Sequence, residues 1–208
     1  MLRDQAWPSQ VIGGNVFDKY HSSNPVARLL VRNFLRTMTR MLEPLPVKHI
    51  LDIGCGEGYV LNVLCQQLKP EKAEGIDVVL EVVSQARRAY PQVPFSVASV
   101  YQLPYQAQSI DLVVMSEVLE HLEDPQRALK EVGRVASRFC LFSVPHEPAW
   151  RILNVMRLKY LRDMGNTPGH LQHFSTKTFL AALRKQFYVR QLNTPFPWLM
   201  ALCERRDS

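Results

Sequence analysis

The residues of this chain best suited to chemistry fall into three groups. The first is D-I-G-C-G-E-G, in which Asp52 is followed by Gly54, Gly56 and Gly58 at alternate positions. Coming directly after a β-branched apolar run, Gly54 permits a tight turn and Gly56 lets a ligand approach the backbone, while Gly58 lets the next helix pack closely and present its first N–H groups. A dinucleotide site would read GxGxxG, whereas the spacing here is GxGxG. The second group is G-I-D, which puts Asp77 at a strand tip 21 residues beyond Gly56, where one carboxylate can accept both hydroxyls of a ribose. The third is S-E-V-L-E-H, carrying Ser116, Glu117, Glu120 and His121. Imidazole exchanges a proton near neutrality, which makes His121 the candidate base of this turn, with Glu117 beside it.

The same turn admits a second reading. On a helix, Glu117, Glu120 and His121 stand at i, i+3 and i+4, so they could gather around a cation together with His170 or His173 of G-H-L-Q-H. Solvated or capping side chains account for these residues equally well, and no metal is the expectation.

These groups need elements to hold them, and the hydropathy pattern supplies an alternation. Asn24 followed by Pro25 reads as a helix N-cap, Leu30, Phe34, Met38 and Met41 mark its apolar side, and Pro44 and Pro46 end it. Arg28, Arg32, Arg36 and Arg40 form a ridge on that helix, either a solvated face or a contact for phosphate or anionic lipid. VKHILDI, KAEGID, VPFSVA, IDLVVMS and RFCLFSV then read as strands; EGYVLNVLCQQL, VLEVVSQARRAY and DPQRALKEVGRVA read as the helices among them. Apolar strands alternating with helices predict a parallel sheet covered on both faces, with ligands bound outside the carboxyl ends of the strands. Ser175 caps a further helix, STKTFLAALRKQF, and T-P-F-P joins two final strands, YVRQLN and WLMALCERR.

Length and composition bound the rest. The chain has 208 residues, of which 47% are hydrophobic and 21% charged, which fits one globular domain with a substantial core. Its expected parts are an N-terminal arm and lid helix at 1–45, a core at 46–144, a cap insertion at 145–174 and a C-terminal helix and strand pair at 175–208. No apolar run is long enough to span a bilayer, and the first residues lack a signal-peptide layout, so the expected compartment is the cytoplasm. The four scattered cysteines include no CxxC pair and read as reduced thiols. A net charge of +6 suits an anionic partner without choosing among them.

D-I-G-C-G-E-G, G-I-D and L-P-Y-Q-A-Q-S-I-D-L-V-V-M-S-E-V-L-E-H-L together resemble the class I S-adenosylmethionine-dependent methyltransferases. The branch they are most similar to is typified by the ubiquinone and menaquinone biosynthesis methyltransferases. The likeness is close over about residues 47–144 and elsewhere holds in outline. It implies an α/β, three-layer Rossmann-like methyltransferase fold whose sheet is seven-stranded and mostly parallel, with the last strand antiparallel. The cofactor it implies is S-adenosyl-L-methionine. Asp52, Gly54, Cys55, Gly56 and Gly58 would line its methionine end, Asp77 would hold the ribose and Val78 would pack on the adenine.

One position departs from the family pattern. Where an Asp usually precedes the L-P pair by four residues to meet the adenine amino group, this chain has Ser99, a weaker acceptor. Backbone groups near Val100 and Tyr101 offer a substitute. Ser116 and Glu117 would face the methyl donor and the acceptor.

The acceptor is expected to be a small molecule, apolar or lipid-like, with oxygen preferred over carbon or nitrogen. Tyr20, His146, Trp150, His170 and His173 are the candidate substrate contacts. A peripheral membrane contact fits the basic ridge, nucleic acid is disfavoured and the oligomeric state is left open. The alternatives are a metal-assisted RNA 2′-O-methyltransferase and a non-catalytic scaffold that keeps the fold.

Overall fold

The computed structural model describes residues 24–147 and 171–206. Tyr20, Trp150 and His170, the amphipathic piece 150–164 and most of the expected arm and cap lie outside the described residues.

Helix α1 runs Pro25–Leu42, and the Asn24 side chain accepts from the Val26 and Ala27 amides as its N-cap. The chain then lays down β1 (His49–Ile53), α2 (Tyr59–Leu68), β2 (Lys72–Asp77), α3 (Leu80–Ala89), β3 (Phe95–Val97) and β4 (Ile110–Ser116). A single 3₁₀ turn, Leu119–His121, precedes α4 (Pro125–Val135) and β5 (Ala136–Pro145). After the undescribed stretch come α5 (Thr176–Leu183), β6 (Phe187–Asn193) and β7 (Trp198–Arg205). The Asp124 and Ser175 caps form as expected, Asp124 accepting from the Arg127 amide and Ser175 from that of Thr178.

The strands make one seven-stranded sheet in the order β3-β2-β1-β4-β5-β7-β6. Strands β1 to β5 pair in parallel, and β7 runs antiparallel to both β5 and β6. The order reverses at β1, between β2 and β4, so the switch point opens above Ile53, Asp77 and Ser116. Phe34, Met38, Leu61, Leu64, Val83 and Ala86 pack α1, α2 and α3 on one face against Ile50, Leu112, Val114, Leu141 and Met200. Leu129, Val132, Phe179 and Leu183 pack α4 and α5 on the other, against Leu51, Ile53, Val113, Met115 and Phe142. Adjacent strand residues serve opposite faces, which is why these strands read as unbroken apolar runs.

Element ends differ from the sequence reading where local backbone geometry outweighs periodicity. Helix α2 starts at Tyr59 rather than Glu57, because its cap Gly58 is left-handed at φ +83°. Strand β5 takes over at Ala136, where the expected helix still ran, since Ala136 already pairs with Ile110.

Candidate active site at the carboxyl edge of the sheet

The glycine loop leaves β1 and is closed by its own amides. Gly54 N–H and Cys55 N–H both donate to Ile76 O, at 2.8 and 3.0 Å, and Gly58 N–H donates to Cys55 O at 2.9 Å. Gly56 N–H donates to Asp77 Oδ2 at 3.1 Å, while Asp77 Oδ1 accepts from Val79 N–H at 3.0 Å. Four loop donors are therefore spent inside the protein. A phosphate cradle needs those N–H groups free and aimed outward, so the loop is not built as a phosphate cradle. The three glycines do separate work, each with positive φ. A Cβ on Gly54 would lie 2.4 Å from Val118 Cγ2, and one on Gly58 would lie 2.6 Å from Phe95 Cζ. At Gly56 a Cβ would meet nothing within 4 Å. Gly54 and Gly58 make room for the protein's own side chains, and Gly56 faces open space.

Asp52 sits beneath the loop, 2% exposed, and its Oδ2 is buried without a hydrogen-bond partner. Burial, reinforced by the nearby Asp77 charge, pushes its carboxyl up to about 8. Burial also pushes the Asp77 carboxyl up, opposed by the amides of Val79 and Gly56. Burial likewise raises the Cys55 thiol, which stays un-ionised and packs as an apolar group. A buried carboxyl with a bare oxygen is a site for a cationic or hydrogen-donating group of a ligand. The loop thus combines an acidic floor, an open backbone approach at Gly56 and a second acid at Asp77. These features suit the amino-acid and ribose ends of S-adenosylmethionine and do not suit a pyrophosphate.

On the β3 side, Ala98 N–H donates to Asp77 O, and Ser99 Oγ accepts from Tyr101 N–H at 3.3 Å. The Ser99 hydroxyl therefore braces its own turn, next to half-buried Val78 and buried Val100. That turn is anchored to α4: Leu103 N–H donates to Glu131 Oε1 at 2.9 Å, and Arg134 donates to Leu103 O and Tyr105 O. Arg134, paired with Glu131, holds that carboxyl below the usual carboxylate range.

On the β4 side, Ser116 Oγ and Ser143 Oγ lie 2.9 Å apart, tying the exits of β4 and β5 together. Glu117 has φ +57°, a left-handed conformation that non-glycine residues seldom adopt, and its N–H donates to Ser143 O. This kink, and the brevity of the 3₁₀ turn after it, correct the helical spacing considered for Glu117, Glu120 and His121. Glu120 is buried and its carbonyl accepts from Leu171 N–H and Gln172 N–H. Among the described residues no three His, Cys, Asp or Glu side chains gather as metal ligands; Glu117, Glu120, His121 and His173 are all described, and His170 is not.

The structure brings one further acid to this edge. Glu147 N–H donates to Phe174 O, and the Glu147 carboxylate has both oxygens buried without a hydrogen bond. His173 Nδ1, 3.8 Å away, gives it an ion pair when protonated. His146 stands next to it with Nε2 3.5 Å from Thr176 Oγ1. Both histidines stand out in the sequence and Glu147 does not, because nothing in P-H-E-P distinguishes a buried glutamate from a solvated one.

Gly54→Ala should destabilise the fold by about 2–4 kcal/mol, since it combines a left-handed φ with a Cβ clash. Val118→Ala removes the clashing methyls and should recover part of the loss. Urea unfolding of the two single variants and the double variant checks this; additive losses would show that the contact does not matter.

Residues 51–139 match a methyltransferase domain family. A malonyl-[acyl-carrier protein] O-methyltransferase of Halorhodospira halophila is 30% identical over 114 residues, covering 52% of this chain and 39% of that protein. A ubiquinone/menaquinone biosynthesis C-methyltransferase of Campylobacter jejuni is 32% identical over 94 residues, 43% of this chain and 40% of the relative. The chain spans about two fifths of the length of these curated relatives. Among solved structures, the magnesium protoporphyrin IX methyltransferase of Synechocystis, with SAH bound, superposes with a TM-score of 0.68 at 18% identity, over 90% of this chain and 91% of that one. That likeness shows a shared fold.

Proposed function

We propose that this chain, which carries a class I S-adenosylmethionine-dependent methyltransferase domain over residues 51–139, moves a methyl group to a small apolar or lipid-like acceptor, with oxygen as the receiving atom. The observation that carries the reading is the combination at the switch point: a bare, buried Asp52 oxygen below an open Gly56, with Asp77 alongside. The bound cofactor supplies a methyl already activated on a sulfonium, so the protein's task is positioning and water exclusion rather than activation of the donor.

Each residue's part follows from its place. Asp52 takes the ammonium of the amino-acid end, a charge-assisted contact that suits a carboxyl otherwise left without a partner. The loop from Gly54 to Gly58, with Cys55 among its residues, lets that end lie against backbone. Asp77 keeps lone pairs beyond the two it gives to amides and accepts the ribose hydroxyls. Val78, Ser99 and Val100 border the adenine, and since the Ser99 hydroxyl is engaged with Tyr101 N–H, backbone groups of that turn do most of the base recognition. Ser116 and Glu117 hold the exit of β4 in one shape. His121 receives the proton that an oxygen acceptor gives up, on an imidazole nitrogen. The pair of His173 with Glu147, and His146 near it, border the acceptor. Proton-accepting groups concentrated on this side suit an acceptor that gives up a proton as it is methylated, and a hydroxyl is the acceptor of this reading.

Labelled methyl transfer from the cofactor into cell extract, separated into lipid, aqueous and RNA fractions, tests the reading. Label is expected in a small-molecule or lipid product. Label confined to RNA would overturn the acceptor class, and absence of thermal stabilisation by S-adenosylhomocysteine would overturn the cofactor assignment in favour of a non-catalytic scaffold. In the same assay His121→Ala should lower turnover about 100-fold or more with S-adenosylhomocysteine affinity unchanged; unaltered turnover would remove His121 from the mechanism.

A further inference from the structure

Helix α1 carries four arginines and no acidic residue: Arg28, Arg32, Arg36 and Arg40 are all exposed. Among the described residues no hydrogen bond or ion pair engages any of the four guanidinium groups. This contrasts with Arg134, Arg138 and Arg190, each of which meets a glutamate. Spaced four apart, the α1 arginines advance about 6 Å along the helix and drift about 40° per step, so they form a strip roughly 18 Å long that long side chains can level onto one plane. That length exceeds what a single free phosphate can neutralise and calls for an extended polyanion.

The strip adjoins an apolar rim. Phe34 of α1 packs on Trp198, with ring centroids 4.9 Å apart, and Trp198 pairs with Pro145, the last residue of β5. Since α1 descends toward the start of β1, Arg28, Leu29, Val26 and Arg32 lie beyond Phe34, at the carboxyl edge of the sheet where the active site opens. Among the described residues, the large apolar side chains left exposed are spread along that edge, from β3 to the turn before β7, except Tyr188. Val26 and Leu29 project there from α1, 57% and 58% exposed. Leu80 follows the tip of β2 and Val97 pairs with Asp77. Leu171 is bonded to Glu120 beyond β4, and Phe196 lies in the turn before Trp198. Leu29 falls within the angular spread of the arginines, so charge and apolar contact share one face.

We propose that the mouth end of this helix, Arg28 and Arg32 with Val26, Leu29 and the apolar rim nearest them, docks on an anionic lipid surface, with Arg36 and Arg40 adding longer-range attraction, and so brings the mouth of the active site to the bilayer. Basic side chains gain from the negative surface potential while Leu29, Val26, Leu171 and Phe196 enter the headgroup–acyl boundary. A nucleic-acid backbone offers the same charges, but its bases reward aromatic stacking platforms, and this rim is chiefly aliphatic. The benefit to an acceptor drawn from the membrane rests on the function proposed above; the docking itself does not.

Sedimentation of the protein with vesicles, without cofactor or acceptor, tests the proposal. It should pellet with phosphatidylcholine vesicles containing phosphatidylglycerol and stay in solution with phosphatidylcholine alone, and binding should weaken as salt shortens the Debye length. Arg28→Gln/Arg32→Gln/Arg36→Gln/Arg40→Gln should bind on the order of 100-fold more weakly. Leu29→Ser/Leu171→Ser should lose several-fold at every salt concentration. Circular dichroism and the thermal midpoint confirm that both variants fold. No binding to anionic vesicles, an unaffected quadruple variant, or retention by single-stranded RNA without vesicle binding would each overturn the proposal. A positive vesicle result with failed methyl transfer would leave the docking surface standing and remove the catalytic reading instead.

Discussion

Asp52→Asn should make the ligand-free protein more stable at alkaline pH while weakening its hold on S-adenosylhomocysteine. The two effects share a cause. In the free protein burial keeps the Asp52 carboxyl protonated up to about pH 8, whereas in the unfolded chain it ionises near its ordinary value of about 4. The folded state therefore binds more protons than the unfolded state across that window. The stabilisation is complete below about pH 4 and is lost as pH rises toward 8, at about 1.4 kcal/mol per pH unit for a single fully titrating group. Above pH 8 the apo fold carries an uncompensated buried anion. Asparagine has no charge to bury, so the variant's thermal midpoint should stay flat over the range in which the parent's declines. Affinity runs the other way. The parent should bind more tightly as pH rises from about 6 to about 8, because the arriving ammonium pairs with an ionised carboxylate. The variant should show a flat profile and, near pH 8, bind about 10- to 100-fold more weakly. Calorimetric titrations over this pH range check both halves. An unchanged pH profile would mean that Asp52 does not meet the ligand.

Asp77→Ala should produce the largest loss of affinity, about 100-fold or more for S-adenosylhomocysteine, since two hydroxyl contacts to a charged acceptor disappear together. Unlike a purely ligand-facing residue, it should also cost stability, about 2 kcal/mol, because the Gly56 and Val79 amides lose their acceptor inside the protein. Asp77→Asn retains an oxygen for one of them and should recover part of the stability without full affinity. Urea unfolding beside isothermal titration separates the two contributions. Unchanged affinity in the alanine variant would refute the ribose assignment.

The layout of the site was legible in the chain wherever one local rule decides the outcome. Strands buried on both faces appear as unbroken apolar runs; Asn24, Asp124 and Ser175 announce the helices they cap; and the glycine at 54 marks a tight turn, which its left-handed φ makes. Features made by residues far apart in sequence were hidden. The Val118 methyls filling the space beside Gly54, Glu131 holding Leu103, and the burial of Glu147 against His173 all depend on how segments meet. Nor does S-E-V-L-E-H reveal that Glu117 takes a left-handed conformation and leaves the helical register in which its spacing would have aligned it with Glu120 and His121. The glycine loop shows the same divide. Its spacing points to a ligand loop, but that its amides are spent on Ile76, Asp77 and Cys55 emerges only when β1 and β2 lie side by side.

The bonds that bracket residues 148–170 have an entropic consequence. Glu147 N–H reaches Phe174 O at 3.0 Å, and Leu171 and Gln172 are fastened to Glu120. Residues 147 and 171–174 thus meet at one point of the sheet's edge. The entropy of closing a connection grows only with the logarithm of its length. Anchors that meet in this way let the connection between them change in length at small entropic cost. The edge of the sheet is thus closed by bonds among residues 120, 147 and 171–174, whatever the length of chain between them.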